Sequence, residues 1–319
     1  MNTYQSVFAE EIEGYLQLFR TCGMDYRRYV TVLNKLDAVM CENNVTEKNL
    51  TETIVLKWMQ SINVKPYTRY IYVVNLVQFS KYLNSLGFTA HIPDTPKKQS
   101  GYTPYIYTED EWTRIIEAAD NLVINGRPES SIQMPMLLRM LYGCGLRVSE
   151  TLNLQAGDVD VEKGVLFMRV AKKKKQRLVP MNSSLTSICG RYIRILNLKG
   201  DDSLFQNKNG EHQNLNWANY CFRRILELAN IQYQRRAGDY DRGPCMHCLR
   251  HTFVLRSMMK SATNGRSFDE TVPFLSTYLG HDSIRETDKY LNFSYELYTG
   301  AADQINAYTN DFFPEVTSE

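Results

Sequence analysis

Over the first part of the chain, apolar residues recur at every third or fourth position. From Tyr4 to Phe19, the residues Val7, Phe8, Ile12, Tyr15, Leu16 and Phe19 share one face, and Glu10, Glu11 and Glu13 fall between them. That spacing predicts an amphipathic helix. A second helix is predicted from about Asp25, a residue suited to an N-cap, through Tyr29, Val32, Leu33, Leu36 and Val39. A third covers about Thr51 to Ile62. The fourth follows Pro66, carries Tyr70, Val73, Val74, Val77, Phe79 and Leu83, and stops at Gly87. Residues 1–92 thus read as a small helical bundle.

The periodicity breaks at 93–104, where Pro93, Pro96, Gly101 and Pro104 rule out a helix and predict an extended linker. A second domain, 105–319, opens with Thr108 and Glu111 spaced as a capping box ahead of Trp112, Ile115, Ile116 and Ala119. Residues 132–143 are almost continuously apolar and predict a buried helix. Gly143 and Gly145 then allow a sharp exit that delivers Arg147 to the start of the next helix. From Val159 to Pro180 the period shortens, and Val165–Val170 and Arg177–Met181 read as strands flanking a lysine-rich turn. Helices follow at about 183–198 and 215–230, and another carries His247. The interval 258–272 reads as a loop between two helices, and 297–313 as a last helix. The expected fold is mainly α with a small antiparallel sheet: a helical bundle followed by an α+β domain.

Composition narrows this only slightly. With 319 residues, 43% hydrophobic and 12% aromatic, the chain has material for two packed cores. There is no run of about eighteen apolar residues, and the start lacks a signal-peptide pattern, so no membrane association is expected and the cytoplasm is the default compartment. Seven cysteines without paired spacings suit reduced thiols. A net charge of +2 says little about partners, so local clusters carry the argument.

One such cluster is Lys65, Tyr67 and Arg69, at the start of the fourth predicted helix, where backbone N–H groups already favour phosphate. Another is Lys97 and Lys98 in the linker, and a third is Lys172, Lys173, Lys174, Lys175 and Arg177 at the predicted hairpin. Each also has a plain reading as solvated surface.

The densest chemistry lies between His247 and Tyr290. His247, Arg250 and His251 are three or four apart and can share a helix face. Leu279-Gly280-His281 follows, and Tyr290 comes nine residues after His281. A guanidinium forks onto two phosphate oxygens, an imidazole donates to them or moves a proton, and a phenol can act as nucleophile. Together these types suggest phosphoryl transfer through a covalent tyrosine link. The rival reading is zinc, suggested by the C-x2-C spacing of Cys245 and Cys248 with His247 and His251 beside them. Tetrahedral zinc normally needs a second ligand pair, and no other such spacing occurs, so no metal is expected.

These boxes resemble those of the tyrosine recombinases, the phage integrase and Xer-type family. His247-x-x-Arg250-His251, Leu279-Gly280-His281 and Tyr290 are similar to its second half. Gly143-Cys-Gly145-Leu-Arg147-Val-Ser-Glu150 resembles its first arginine box, and the 172–180 segment its lysine-bearing hairpin. The resemblance implies a core-binding helical domain and a catalytic domain that clamp double-stranded DNA, working as a homotetramer or paired dimers. It implies that Arg147 and Arg250 bind the scissile phosphate, with His247 and His281 assisting. Tyr290 would attack phosphorus, and Lys172 would protonate the leaving 5′-hydroxyl. No cofactor, metal or ATP is implied, since a phosphotyrosyl bond preserves the diester's energy. Strand parity is lost in a turn, so physics alone leaves Lys174 in contention with Lys172. Integration or excision of a mobile element or phage is the expected role, and residues 1–92, with no room expected for a further arm-binding domain, favour a simple recombinase or small mobile-element integrase. Dimer resolution, a same-fold DNA-binding protein without catalysis, and a nicking topoisomerase are the alternatives.

Overall fold

A computed structural model describes residues 4–97, 104–169, 176–232, 243–280 and 283. The chain divides into two compact units, Met1–Gly101 and Tyr102–Glu319. No helix among the described residues is long and apolar enough to cross a membrane.

The first unit packs helices α1 (Ala9–Thr21), α2 (Arg27–Glu42), α3 (Glu52–Ser61) and α4 (Pro66–Ser85). Phe8, Ile12, Leu33, Leu36, Trp58, Val73, Leu76 and Phe79 fill its core. Burying each large apolar side chain is worth about 1.5–3 kcal/mol against leaving it in water. Helix α1 starts five residues later than the apolar spacing from Tyr4 predicts. In the segment ahead of it, the Asp37 carboxylate takes the backbone N–H of Gln5 (3.1 Å) and Ser6 (2.9 Å). Asp25 is likewise not the N-cap of α2, a position occupied by Tyr26; its carboxylate accepts the Arg27 N–H at 3.1 Å.

A feature without a sequence signature closes the unit. Strands β1 (Asn49–Leu50) and β2 (Thr89–Ala90) pair in parallel. Two residues are too few to show alternation. The Asn84 side chain supports them by donating to Ala90 O and accepting Ala90 N–H, both at 2.9 Å, so one amide serves as a neighbouring strand.

In the second unit, α5 (Glu109–Asp120) begins at the Thr108–Glu111 capping box. Helix α6 (Ser130–Cys144) runs through the core with Met134, Leu137, Leu138, Met140 and Leu141 fully buried. Its turn into α7 (Val148–Leu152) passes through Gly145, at φ +59°. A 3-10 turn (Ala156–Asp158) leads into an antiparallel sheet ordered β3 (Val159–Asp160), β4 (Val165–Met168), β5 (Arg177–Pro180). The register pairs Val165 with Pro180 and Met168 with Arg177. Helices α8 (Ser183–Ile195), α9 (Leu215–Leu228), α10 (Met246–Thr263) and α11 (Phe268–Leu279) complete the described part. The predicted last helix at 297–313 lies outside the described residues.

The interval after His251 corrects the expectation of a long loop. Helix α10 continues to Thr263, and a capping box of Ser267 and Glu270 starts α11, so only 264–267 lie between them. Met258 packs with Val272 and Leu275, and Ser261 Oγ meets Thr271 Oγ1 at 2.6 Å. Most of 258–272 therefore belongs to two packed helices.

Candidate active site

Two helices of the second unit end on glycines in left-handed geometry: α6 at Gly145 (φ +59°) and α11 at Gly280 (φ +64°). Helix C-termini present unsatisfied carbonyls and the negative end of the macrodipole, so cations are favoured there. Both ends are occupied by guanidinium groups. Arg250, one turn into α10, donates from Nη1 to Gly145 O at 2.7 Å and from Nη2 to Leu279 O at 2.9 Å. It is only 2% exposed. A buried charge is tolerated when it is hydrogen-bonded in this way.

Arg147 is the N-cap residue of α7 and half-buried. Its Nη1 pairs with Glu150 Oε1 at 2.7 Å, and its Nη2 approaches Gly280 O at 3.4 Å. The carboxylate behind it holds the guanidinium in one orientation. Arg147 and Arg250 thus meet at the end of α11, brought together from α7 and α10, and Arg250 also holds the end of α6.

A third arginine completes the arrangement and corrects the sequence reading. Arg177, grouped there with DNA-facing basic residues, turns inward and is only 10% exposed at its side chain. Its Nη2 binds Glu150 Oε2 at 2.7 Å and its Nε donates to Tyr278 O at 3.0 Å. Nη1 is buried without a hydrogen-bond partner. Arg177 opens β5, as the predicted strand Arg177–Met181 has it, and pairs with Met168; what the sequence does not show is that its side chain lies against the end of α11. Glu150 is shared between two arginines. Burial pushes its carboxyl upward, but the Arg177 hydrogen bond and charge, followed by those of Arg147, outweigh it and hold it below its ordinary value.

The two glycines are required by this packing. A Cβ at Gly280 would lie 2.9 Å from Arg177 Nη1, and one at Gly145 would lie 2.3 Å from Phe253 Cδ1. Sequence reasoning assigned Gly145 to a turn, but neither close approach was visible there.

His247 is exposed in the first turn of α10, its ring edge-to-face with buried His251 at 4.7 Å between centroids. Lys172, His281 and Tyr290 lie outside the described residues, although Gly280 places the chain at the arginine cluster one residue before His281. Lys98, Lys173, Lys174 and Lys175 also lie outside. In the first unit, Lys65 and Tyr67 are exposed and Arg69 half-buried at the start of α4, and Lys97 is exposed in the segment after β2. Among the described residues, no three His, Cys, Asp or Glu side chains are grouped to hold a metal ion.

The model of the phage integrase family matches residues 106–296, which span the arginine-bearing helices. This chain belongs to that family. It is a tyrosine recombinase, an enzyme of site-specific recombination. The chain is 26% identical to a putative integrase/recombinase, y4rB, of Sinorhizobium fredii over 306 residues, covering 92% of this chain and 95% of that one. It is 27% identical to the tyrosine recombinase XerA of Pyrococcus furiosus, with 97% of each chain covered. Among solved structures, XerH bound to palindromic difH substrate in a post-cleavage complex aligns with TM-score 0.64 at 17% identity, covering 88% of this chain and 80% of that one. A lambda integrase dimer bound to a COC′ core site aligns with TM-score 0.62 at 14% identity, covering 88% and 75%. The tyrosine recombinase therefore shares its fold with both.

Proposed function

We propose that this recombinase cuts and rejoins double-stranded DNA through a 3′-phosphotyrosyl intermediate, with Arg147, Lys172, His247, Arg250, His281 and Tyr290 as its catalytic residues. The observation that carries the reading is the convergence of Arg147 and Arg250 on the end of α11, with Arg250 also bound to the end of α6. Two guanidiniums fixed before substrate arrives can hold the non-bridging oxygens of one phosphate and offset the charge that builds up in the transition state.

In this reading the Tyr290 phenol attacks phosphorus in line with the departing 5′-oxygen, to which Lys172 delivers a proton. His247 and His281 add hydrogen bonds to the phosphate and handle the proton leaving Tyr290. The bond formed has the energy of the bond broken, so a new 5′-hydroxyl can reverse the step and complete strand exchange. Arg177 touches no reacting atom; it acts through Glu150, which orients Arg147. DNA in the XerH and lambda integrase structures supports DNA as the substrate here. We assign core-site binding to residues 1–92 with Lys65, Tyr67 and Arg69, and further phosphate contacts to Lys97, Lys98, Lys173, Lys174 and Lys175. Residues 93–104 join that domain to the catalytic domain, 105–319. The working assembly is a homotetramer or a pair of dimers. Integration or excision of a mobile element or phage is the role, and the name of the Sinorhizobium relative, a putative integrase/recombinase, supports the integrase part of it.

The test begins by selecting the preferred site from random duplexes by binding, then presenting it with a nick that prevents religation. Wild type forms a covalent adduct, and Tyr290→Phe binds without forming one. An adduct on Tyr295 or Tyr298 in that variant would displace the nucleophile. Lys172→Ala cleaves poorly, and sulfur in place of the 5′ bridging oxygen restores it, because a thiolate leaves without a proton. Rescue of Lys174→Ala instead would move the acid by two residues.

A further inference from the structure

The start of α10 carries a feature that the recombination chemistry does not use. Cys245 is the N-cap of the helix and Cys248 lies in its first turn. Their Sγ atoms are 3.3 Å apart. Both are thiols in this structure, Cys245 half-buried and Cys248 fully buried. The backbone between them is already closed, with the Cys248 N–H on Cys245 O at 2.9 Å. Tyr107 Oη also donates to Cys245 O at 3.1 Å, and its backbone N–H bonds Thr252 Oγ1, which in turn donates to Cys248 O. The two sulfurs are thus held face to face on a clamped turn. With no third metal-binding side chain grouped beside them among the described residues, the pair reads as a dithiol.

We propose that Cys245 and Cys248 are a redox modification site: they form a reversible intrachain disulfide by exchange with a low-molecular-weight disulfide, and closing it lowers DNA cleavage. In the first step the Cys245 thiolate attacks one sulfur of the oxidant RSSR, giving a mixed disulfide and releasing RS⁻. In the second, the Cys248 thiolate attacks the Cys245 sulfur and expels the second RS⁻. Two thiol protons end on the two RSH products, and the two electrons lost by the cysteines reduce RSSR. Cys245 attacks first because it is the more exposed residue of the two. The hydrogen bond with Cys245, and then burial, hold the Cys248 thiol well above its ordinary range until the mixed disulfide removes that partner.

The consequence for cleavage rests on the proposed function. A disulfide needs its sulfurs at about 2.05 Å, so the pair must close by more than 1 Å across the turn that contains His247 and leads to Arg250. A displacement of about 1 Å in catalytic geometry can cost on the order of 10²-fold in rate.

The experiment uses the full chain with exposed Cys22 and Cys41 replaced by Ser, equilibrated over a series of oxidised to reduced glutathione ratios, alkylated, and mapped by peptide mass. The expected product is a peptide cross-linked between 245 and 248, absent after dithiothreitol. Cys248→Ala should trap glutathione on Cys245, whereas Cys245→Ser should leave Cys248 unmodified. Alkylation of both cysteines at every ratio overturns the bond, and glutathione trapped on Cys248 overturns the order of attack. On the nicked duplex, oxidation should lower adduct yield by about 10²-fold, and dithiothreitol should restore it. The Cys245→Ser, Cys248→Ala double variant should cleave and ignore the oxidant. An unchanged yield with the disulfide present overturns the inhibitory role. If even the reduced protein forms no adduct, the recombinase reading fails. The rate at which diethyl pyrocarbonate modifies His247 in the two redox states then decides whether the bond moves this turn, and equal rates overturn that.

Discussion

Two groups of basic residues, one in each unit, hold positive charge in opposite ways. In the first unit, Lys65 is exposed at the start of α4 with Arg69 half-buried in the same turn, and Lys97 is exposed. In the second, Arg250 and Arg177 are almost entirely enclosed, and each is fixed by hydrogen bonds to named carbonyls or to Glu150. Surface cations on flexible stems attract any phosphate by field and counterion release, and removing one of them changes little. Enclosed guanidiniums incur a desolvation cost on folding and in return stand in one place, which phosphoryl transfer needs and binding does not.

The largest test of that contrast is Arg250→Ala. Loss of one preorganised charge donor typically lowers a rate by about 10²- to 10³-fold, and adduct formation at saturating DNA should fall by at least that much. Melting should also drop by the equivalent of about 1–3 kcal/mol, because Gly145 O and Leu279 O lose their donor. An Arg250 variant that cleaves normally would place the phosphate elsewhere.

Arg177→Met comes next. Breaking one side of a buried ion pair costs roughly 3–5 kcal/mol, and urea denaturation should show a loss near the lower end because Arg147 still accompanies Glu150. Cleavage should fall as Arg147 loses its orientation, while affinity for duplex stays close to wild type. A variant that loses affinity and keeps its rate would return Arg177 to the DNA-facing set.

Glu150→Gln sharpens the same point through pH. The folded carboxyl lies below its ordinary value of 4.5, so its contribution is fully present above that value and is lost as pH falls through the lower folded one. Wild type should therefore exceed the variant in stability at pH 7, with the gap closing below about pH 4. A gap independent of pH would mean that the carboxylate's charge is not what holds the arginines.

The smallest effect belongs to the first unit. Replacing Lys65 and Arg69 by Ala should reduce the slope of log affinity against log salt by about 2, near 0.9 for each phosphate that is no longer neutralised. The cleavage rate of the saturated complex should not change. An unaltered salt slope would remove the start of α4 from the interface.

Much of this molecule was legible because its chemistry is local. Arg147 ahead of a short helix, the Thr108–Glu111 box, and His247 and Arg250 on one helix all depend on spacings of three or four residues. What could not be read depends on distant partners. Arg177 meets Glu150 across 27 positions and Tyr278 across 101, and no local pattern marks an arginine that makes such contacts. The parallel β1–β2 pair is too short to leave a period, and the continuation of α10 to Thr263 depends on Met258 packing against α11.

Gly145 and Gly280 carry one more consequence, for how this sequence can vary. Every other coded residue adds a Cβ, and at both positions that atom meets a strained backbone angle together with an occupied volume. Compensation would require moving Phe253 in one case and Arg177 in the other, so the first step of any such path already passes through a damaged protein. In a saturation library selected for recombination, these two columns should stay empty while neighbouring surface positions fill. Variation tolerated around this site in such a library should therefore fall in the helices and loops beyond the two caps, whose carbonyls stay where the arginines need them.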